Sequence, residues 1–108
     1  MSSLTNLLAE RHRFTEVERG AAGQRLKVAA EDPALSETLR DELPRVEFLE
    51  GRLDAHSFAA KLLDRGIDAA TLPAFLNRRL LEHIDSGAEF QQIKGFTEVI
   101  KEILEHTS

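Results

Sequence analysis

The four histidines are the residues of this sequence that could take part in the most kinds of chemistry, because an imidazole ring binds metal ions and transfers protons near neutral pH. They are His12, His56, His83 and His106. Di-iron helical bundles place a glutamate three residues before a histidine, but here those positions hold Ala9, Leu53, Leu80 and Ile103. The H-E-x-x-H zinc motif is also absent. A metal-binding helical bundle is therefore only the third hypothesis for this chain.

Nucleophilic catalysis has no better support in the sequence. The chain has no cysteine, which excludes thiolate nucleophiles, thiolate metal sites and disulfides. Ser57 follows His56 directly, but consecutive residues of a helix point in different directions. No G-x-S-x-G turn and no phosphate-binding glycine loop is present. We therefore expect no enzymatic activity, no cofactor and no small-molecule ligand.

Residues 58–81 contain a more specific pattern, in which one helix ends at a glycine and a second helix begins after a short turn. Gly66, Ile67, Leu72 and Phe75 occupy positions that resemble the turn glycine and buried apolar residues of a helix-turn-helix motif. The resemblance implies a DNA-binding regulator. Its second helix would contact DNA through Asn77, Arg78 and Arg79.

The first half of this segment departs from the motif. Leu62 stands where a small residue is expected, and Lys61 and Arg65 stand at apolar positions. Pro73 would lie in the reading helix. An ordinary helical hairpin with a glycine cap is the alternative interpretation.

Apolar residues at helical spacing give the leading hypothesis, which is a helix-mediated protein interface. In the first helix, Leu7, Phe14, Ala21 and Val28 recur at heptad spacing. The last helix carries a broad apolar face that includes Phe96. The alternative is that both faces simply close a core within the chain. The predicted interface residues are Leu7, Phe14, Val17, Phe90, Ile93, Phe96, Ile100 and Ile103.

Helix boundaries follow from capping residues and prolines. The first helix is predicted to start near Ser3 and to end before Asp32-Pro33. The second is expected to kink or split at Pro44, since proline removes a helical hydrogen bond. Asp54 is predicted to cap a third helix, which ends at Gly66.

The fourth helix is predicted to follow Thr71, and Asp68 begins a short turn before it. Ser86 and Glu89 have the spacing of a capping box for the last helix. The sequence thus predicts an all-α fold of about five helices in a compact, mostly antiparallel bundle. Its connections are short, its first and last helices are long, and residues 1–108 form one domain.

Composition fits a globular protein, with 42% apolar and 31% charged residues in 108. The net charge of −5 and the lack of a strongly basic segment argue against general phosphate binding. No signal peptide or apolar run long enough for a membrane span is visible. We therefore expect a cytoplasmic protein that does not contact membranes.

These patterns favour a non-enzymatic protein-interaction module, such as a small regulatory, adaptor or chaperone-like subunit. It would act through apolar helical surfaces as a homodimer. The helix-turn-helix regulator is the alternative.

Overall fold

Four α-helices and one 3₁₀ turn account for most of residues 3–107, which are the residues described by the computed structural model. The helices are α1 (Ser3–Glu31), α2 (Ser36–Asp64), α3 (Leu72–Asp85) and α4 (Phe90–Thr107). The 3₁₀ turn, Pro33–Leu35, connects α1 to α2. No strand occurs within this described range, so the predicted all-α class is confirmed.

The predicted number of helices is wrong by one, because α2 continues through Asp54, where a third helix was expected to begin. Pro44 lies inside α2, which therefore does not split there. Asp54 is also internal, and its carboxylate binds side chains of α3 instead of capping a helix. With 29 residues, α2 equals α1 in length, whereas α4 has 18. The two longest helices are thus the first and second, rather than the first and last.

The two turns predicted within residues 65–71, one at Gly66 and one at Asp68, are confirmed. Gly66 adopts a φ of 93° after the end of α2, a conformation that glycine adopts without steric penalty. Asp68 Oδ1 accepts hydrogen bonds from the backbone N–H and the hydroxyl of Thr71, at 2.8 and 2.7 Å. This turn holds Thr71 directly before the first residue of α3.

The predicted capping box before the last helix is wrong. Ser86 ends α3 instead, and its hydroxyl donates to the His83 carbonyl at 3.0 Å. The backbone N–H of Glu89 donates to Gln92 Oε1 at 3.2 Å, immediately before α4 begins. The side chain that reaches back to the helix start thus comes from a residue three positions later than predicted.

The main core lies where α3 and α4 pack against the N-terminal part of α1 and the C-terminal half of α2. Its largest fully buried residues include Phe96, Leu72, Leu76 and Ile103. A second, smaller cluster joins only α1 and α2. Its buried members are Ala22, Val46 and Leu49.

No helix of residues 3–107 combines the length and the hydropathy that a bilayer crossing requires.

Candidate interaction surface and polar cavities

The buried face of α1 is displaced by one residue from the predicted heptad. The predicted stripe runs through Leu7, Phe14, Ala21 and Val28. Each of these is followed by a buried residue, in the order Leu8, Thr15, Ala22 and Ala29. Because three of those four side chains are small, α1 approaches α2 closely and turns its larger apolar residues outward.

The outward residues form an exposed apolar strip that we call the α1 ridge: Phe14, Val17, Ala21 and Val28. Phe14 is 68% exposed and Val17 is 74% exposed. The ridge extends about 21 Å along the helix, at a rise of about 1.5 Å per residue. Leu7 differs from the ridge residues, since it is half-buried against the main core.

The apolar face of α4, in contrast, is used within the chain. Phe96, Ile100 and Ile103 are buried in the main core. Ile93 is half-buried, and Phe90 is exposed at the start of the helix. Both faces were predicted from the sequence as an interface or as a core. In the structure the α1 ridge remains open, whereas Phe96, Ile100 and Ile103 are buried within the chain and are not available to a partner.

A cavity of about 260 Å³ lies between α2, α3 and α4. Leu80, Ile93 and Phe96 supply its apolar lining, and Glu50 and Asp54 supply carboxylates. Gln92 Nε2 is 3.5 Å from a Glu50 oxygen. The carboxylates therefore lie beside an apolar wall, but both have partners within the chain.

The Asp54 carboxylate connects α2 to α3 because it contacts the side chains of Arg79 and His83 on α3. His83 Nε2 lies 2.7 Å from Asp54 Oδ2, and Arg79 Nη2 lies 3.1 Å from Asp54 Oδ1. Burial would raise the pKa of Asp54, but the hydrogen bonds from Arg79 and His83 outweigh it, and the pKa is lowered. The 25-residue separation of Asp54 and Arg79 gave no local sequence signal for this contact.

The contact with Asp54 separates Arg79 from the other two predicted DNA-contacting residues, Asn77 and Arg78. The Arg79 guanidinium also lies 4.5 Å from the centre of the Phe58 ring. Arg79 is therefore held against α2, whereas Asn77 and Arg78 are exposed on α3.

A second polar feature is a histidine pair between α1 and α2. His56 is 1% exposed, and its ring meets the His12 ring edge to face with a centroid distance of 5.8 Å. His12 Nε2 contacts Glu16 at 2.7 Å, as the four-residue spacing allows. Both His56 ring nitrogens and His12 Nδ1 are buried without a hydrogen-bond partner. An unpaired buried polar atom costs roughly 1–3 kcal/mol.

Burial is the main reason that the pKa of His56 falls to about 3, and the nearby Arg52, His12 and Arg11 lower it further. His56 is therefore neutral at pH 7, with one ring nitrogen that donates and one that accepts. No local sequence signal links His12 with His56, because only the packing of α1 against α2 brings the two rings together.

The remaining histidine, His106, lies near the start of α1, where the Ser3 hydroxyl is 3.0 Å from His106 Nε2. The four histidines therefore occupy three separate places. Among residues 3–107, no three His, Asp or Glu side chains lie where they could jointly hold a metal ion.

The fold and these surfaces define an all-α protein of four helices with an exposed apolar ridge on its first helix. No protein-family model, curated protein or solved structure matches the chain.

Proposed function

We propose that this chain is a non-enzymatic protein-interaction module that forms a homodimer through the α1 ridge. The observation that carries the proposal is the outward orientation of Phe14 and Val17, which are 68% and 74% exposed on a helix that buries small residues instead. Large apolar side chains exposed in a row are typical of association surfaces. A regulatory, adaptor or chaperone-like role in the cytoplasm is part of the same proposal.

The spacing of the ridge favours a second copy of the chain as its partner. Ridge residues follow one another at intervals of three, four and seven, which is the pattern that lets two helices pack along their length. In a two-fold symmetric dimer the same strip faces itself, so no other surface is required. The 29 residues of α1 give a helix about 43 Å long, which is enough to hold the whole ridge in one contact.

The expected affinity is moderate. Burying a Phe or Val side chain contributes about 1.5–3 kcal/mol. Phe14, Val17 and Val28 from two chains therefore contribute on the order of 10 kcal/mol before the cost of association. That cost is itself roughly 4–15 kcal/mol. We expect a dimer that dissociates on dilution rather than a permanent assembly.

Sedimentation equilibrium of the purified chain tests the proposal. As the concentration rises from the micromolar toward the millimolar range, we expect the mass to rise toward twice the 12.1 kDa of one chain. Phe14→Lys and Val17→Lys place like charges across the symmetry axis and should give monomers with unchanged helical circular dichroism.

The matched control is Phe90→Lys, since Phe90 is as exposed as Phe14 but lies on α4. This variant should remain dimeric. A monomeric wild-type protein over the whole concentration range, or a dimer that Phe14→Lys leaves intact, would contradict the proposal.

A further inference from the structure

The histidine pair lies in a surface groove of about 680 Å³ between α1 and α2. Leu8, Ala9 and Ala60 give the groove an apolar surface, and His56 lines it together with His12. The small side chains of Ala9 and Ala60 leave the groove open between the helices. A volume of this size is in the range of pockets that hold small organic molecules.

The histidine rings that line the groove have buried nitrogen atoms without a hydrogen-bond partner. The two nitrogens of His56 and Nδ1 of His12 are the buried side-chain polar atoms without a hydrogen bond in residues 3–107. Buried polar groups in folded proteins are almost always paired with protein, water or ligand. These three atoms belong to two rings that line one groove, and the donating nitrogen of the neutral His56 ring is the one that requires an accepting partner.

The charges around the groove favour an anionic molecule. Arg13 and Lys61 line it, and no acidic residue does. This pair of cations stands out in a chain with a net charge of −5 and attracts a carboxylate. Glu16, which contacts His12, lies outside the lining of the groove.

We propose that the α1–α2 groove binds an amphipathic carboxylate, a molecule with one acidic head and an apolar body. The head accepts a hydrogen bond from the neutral His56 ring and pairs with Arg13 and Lys61. The apolar body lies against Leu8, Ala9 and Ala60. This site is independent of the α1 ridge, so either proposal can fail without the other.

Titration of the full chain with octanoate tests the proposal, by calorimetry and by NMR of the histidine rings. We expect octanoate to bind more tightly than acetate, which has the head alone, and octylammonium, which has the opposite charge. Octanoate should shift the ring signals of His56 and His12 but leave those of His106 unchanged. Equal binding of octanoate and octylammonium, or no binding of octanoate, would overturn the proposal.

Charge-reversal variants identify the head-group contacts. Lys61→Glu and Arg13→Glu should each weaken octanoate binding by about tenfold or more, because each removes one charge-assisted interaction. Lys94→Glu is the control, since Lys94 is an exposed lysine of α4 outside the groove. Unchanged affinity in both groove variants would overturn the proposed pairing.

His56→Leu separates binding from folding. Removing the unpaired nitrogens should raise the thermal midpoint, whereas octanoate affinity should fall by about tenfold because the hydrogen bond to the head is lost. Undiminished octanoate affinity in this variant would overturn the role of His56. Stoichiometric zinc binding that shifts both rings would also overturn the proposal in favour of a metal site. If His56→Leu does not fold, the Lys61→Glu titration still decides the question.

Discussion

Gly51 of α2 and Gly95 of α4 lie at a single crossing where the backbones of the two helices touch. A Cβ atom on Gly51 would collide with the Gln92 carbonyl, and one on Gly95 would collide with the Phe48 carbonyl. Because neither helix has a side chain at these points, α4 lies directly on α2. This close approach brings the apolar face of α4 into the core instead of leaving it for a partner.

Alanine at this crossing should destabilise the fold. We expect Gly95→Ala to lower the free energy of unfolding by about 1–3 kcal/mol, because the backbone of α2 cannot move away from the added methyl group cheaply. Urea unfolding measures the change. Gly20→Ala is the control, since no atom lies within 4 Å of the added Cβ there. That variant should gain about 0.5–1 kcal/mol from better helix propensity. Equal effects of the two substitutions would contradict the close crossing.

Two phenylalanines of α4 should respond very differently to truncation. Phe96 is buried in the main core, so Phe96→Ala should lower the free energy of unfolding by about 3–5 kcal/mol. Phe90→Ala removes the same atoms from an exposed position and should change stability by about 0.5 kcal/mol or less. Thermal or urea unfolding distinguishes them, and similar losses would show that the core is placed incorrectly.

Stability should fall in acid partly because His56 cannot accept a proton in the fold. Its pKa is about 3 in the folded chain and 6.5 ordinarily, so the unfolded chain binds the extra proton between these values. This contribution is complete above pH 6.5 and is lost as the pH falls toward 3. About 2 kcal/mol is lost between pH 7 and pH 5.

Urea unfolding at a series of pH values measures this loss. The His56→Leu variant should lack that part of the pH dependence, whereas a His106→Leu control should keep it. Parallel pH profiles for the wild type and His56→Leu would exclude a buried neutral ring.

Removing the charge of Asp54 should loosen α3 from α2. Asp54→Asn should lower the free energy of unfolding by about 1 kcal/mol at pH 7, since the contact is partly exposed to solvent. Because contacts with Arg79 and His83 lower the pKa of Asp54 below 3.8, the carboxylate stabilises the fold at neutral pH. That contribution should be present above pH 3.8 and should be lost as the pH falls through the lowered pKa of Asp54.

Asp41→Asn is the control, because Asp41 lies on the exposed face of α2. Unfolding curves at pH 7 and pH 3 provide the comparison. An Asp54→Asn deficit that persists undiminished at pH 3 would count against the ion pair.

Local signals in the sequence predicted the helical class and several boundaries correctly. Asp32-Pro33 ends α1, and the glycine after α2 adopts the expected positive φ. These features depend on residues adjacent in the chain. Of the two outcomes expected at Pro44, a split of α2 does not occur, because packing of α2 against its neighbours outweighs the loss of one hydrogen bond.

The long-range features were not predictable in the same way. Aspartate is a common N-cap residue, so the sequence suggested that Asp54 begins a helix. Only the position of Arg79 on α3 shows that Asp54 forms an ion pair instead. Hydrophobic periodicity left open whether the heptad stripe of α1 faces the core or a partner, and in the structure the buried face lies one residue beyond that stripe. Here the close contact with α2 selects smaller residues, of which Ala22 is fully buried.

This register reverses the usual relation between residue size and mutational tolerance along α1. Enlarging Ala22, which packs against Val46 and Leu49 of α2, would force the two helices apart, whereas Phe14 can be exchanged for almost any helix-forming residue without harm to the monomer. In a library that randomises α1 and is selected only for folding, the small positions would be retained and the large ones lost. Retention of large apolar residues at positions 14 and 17 would require selection for association.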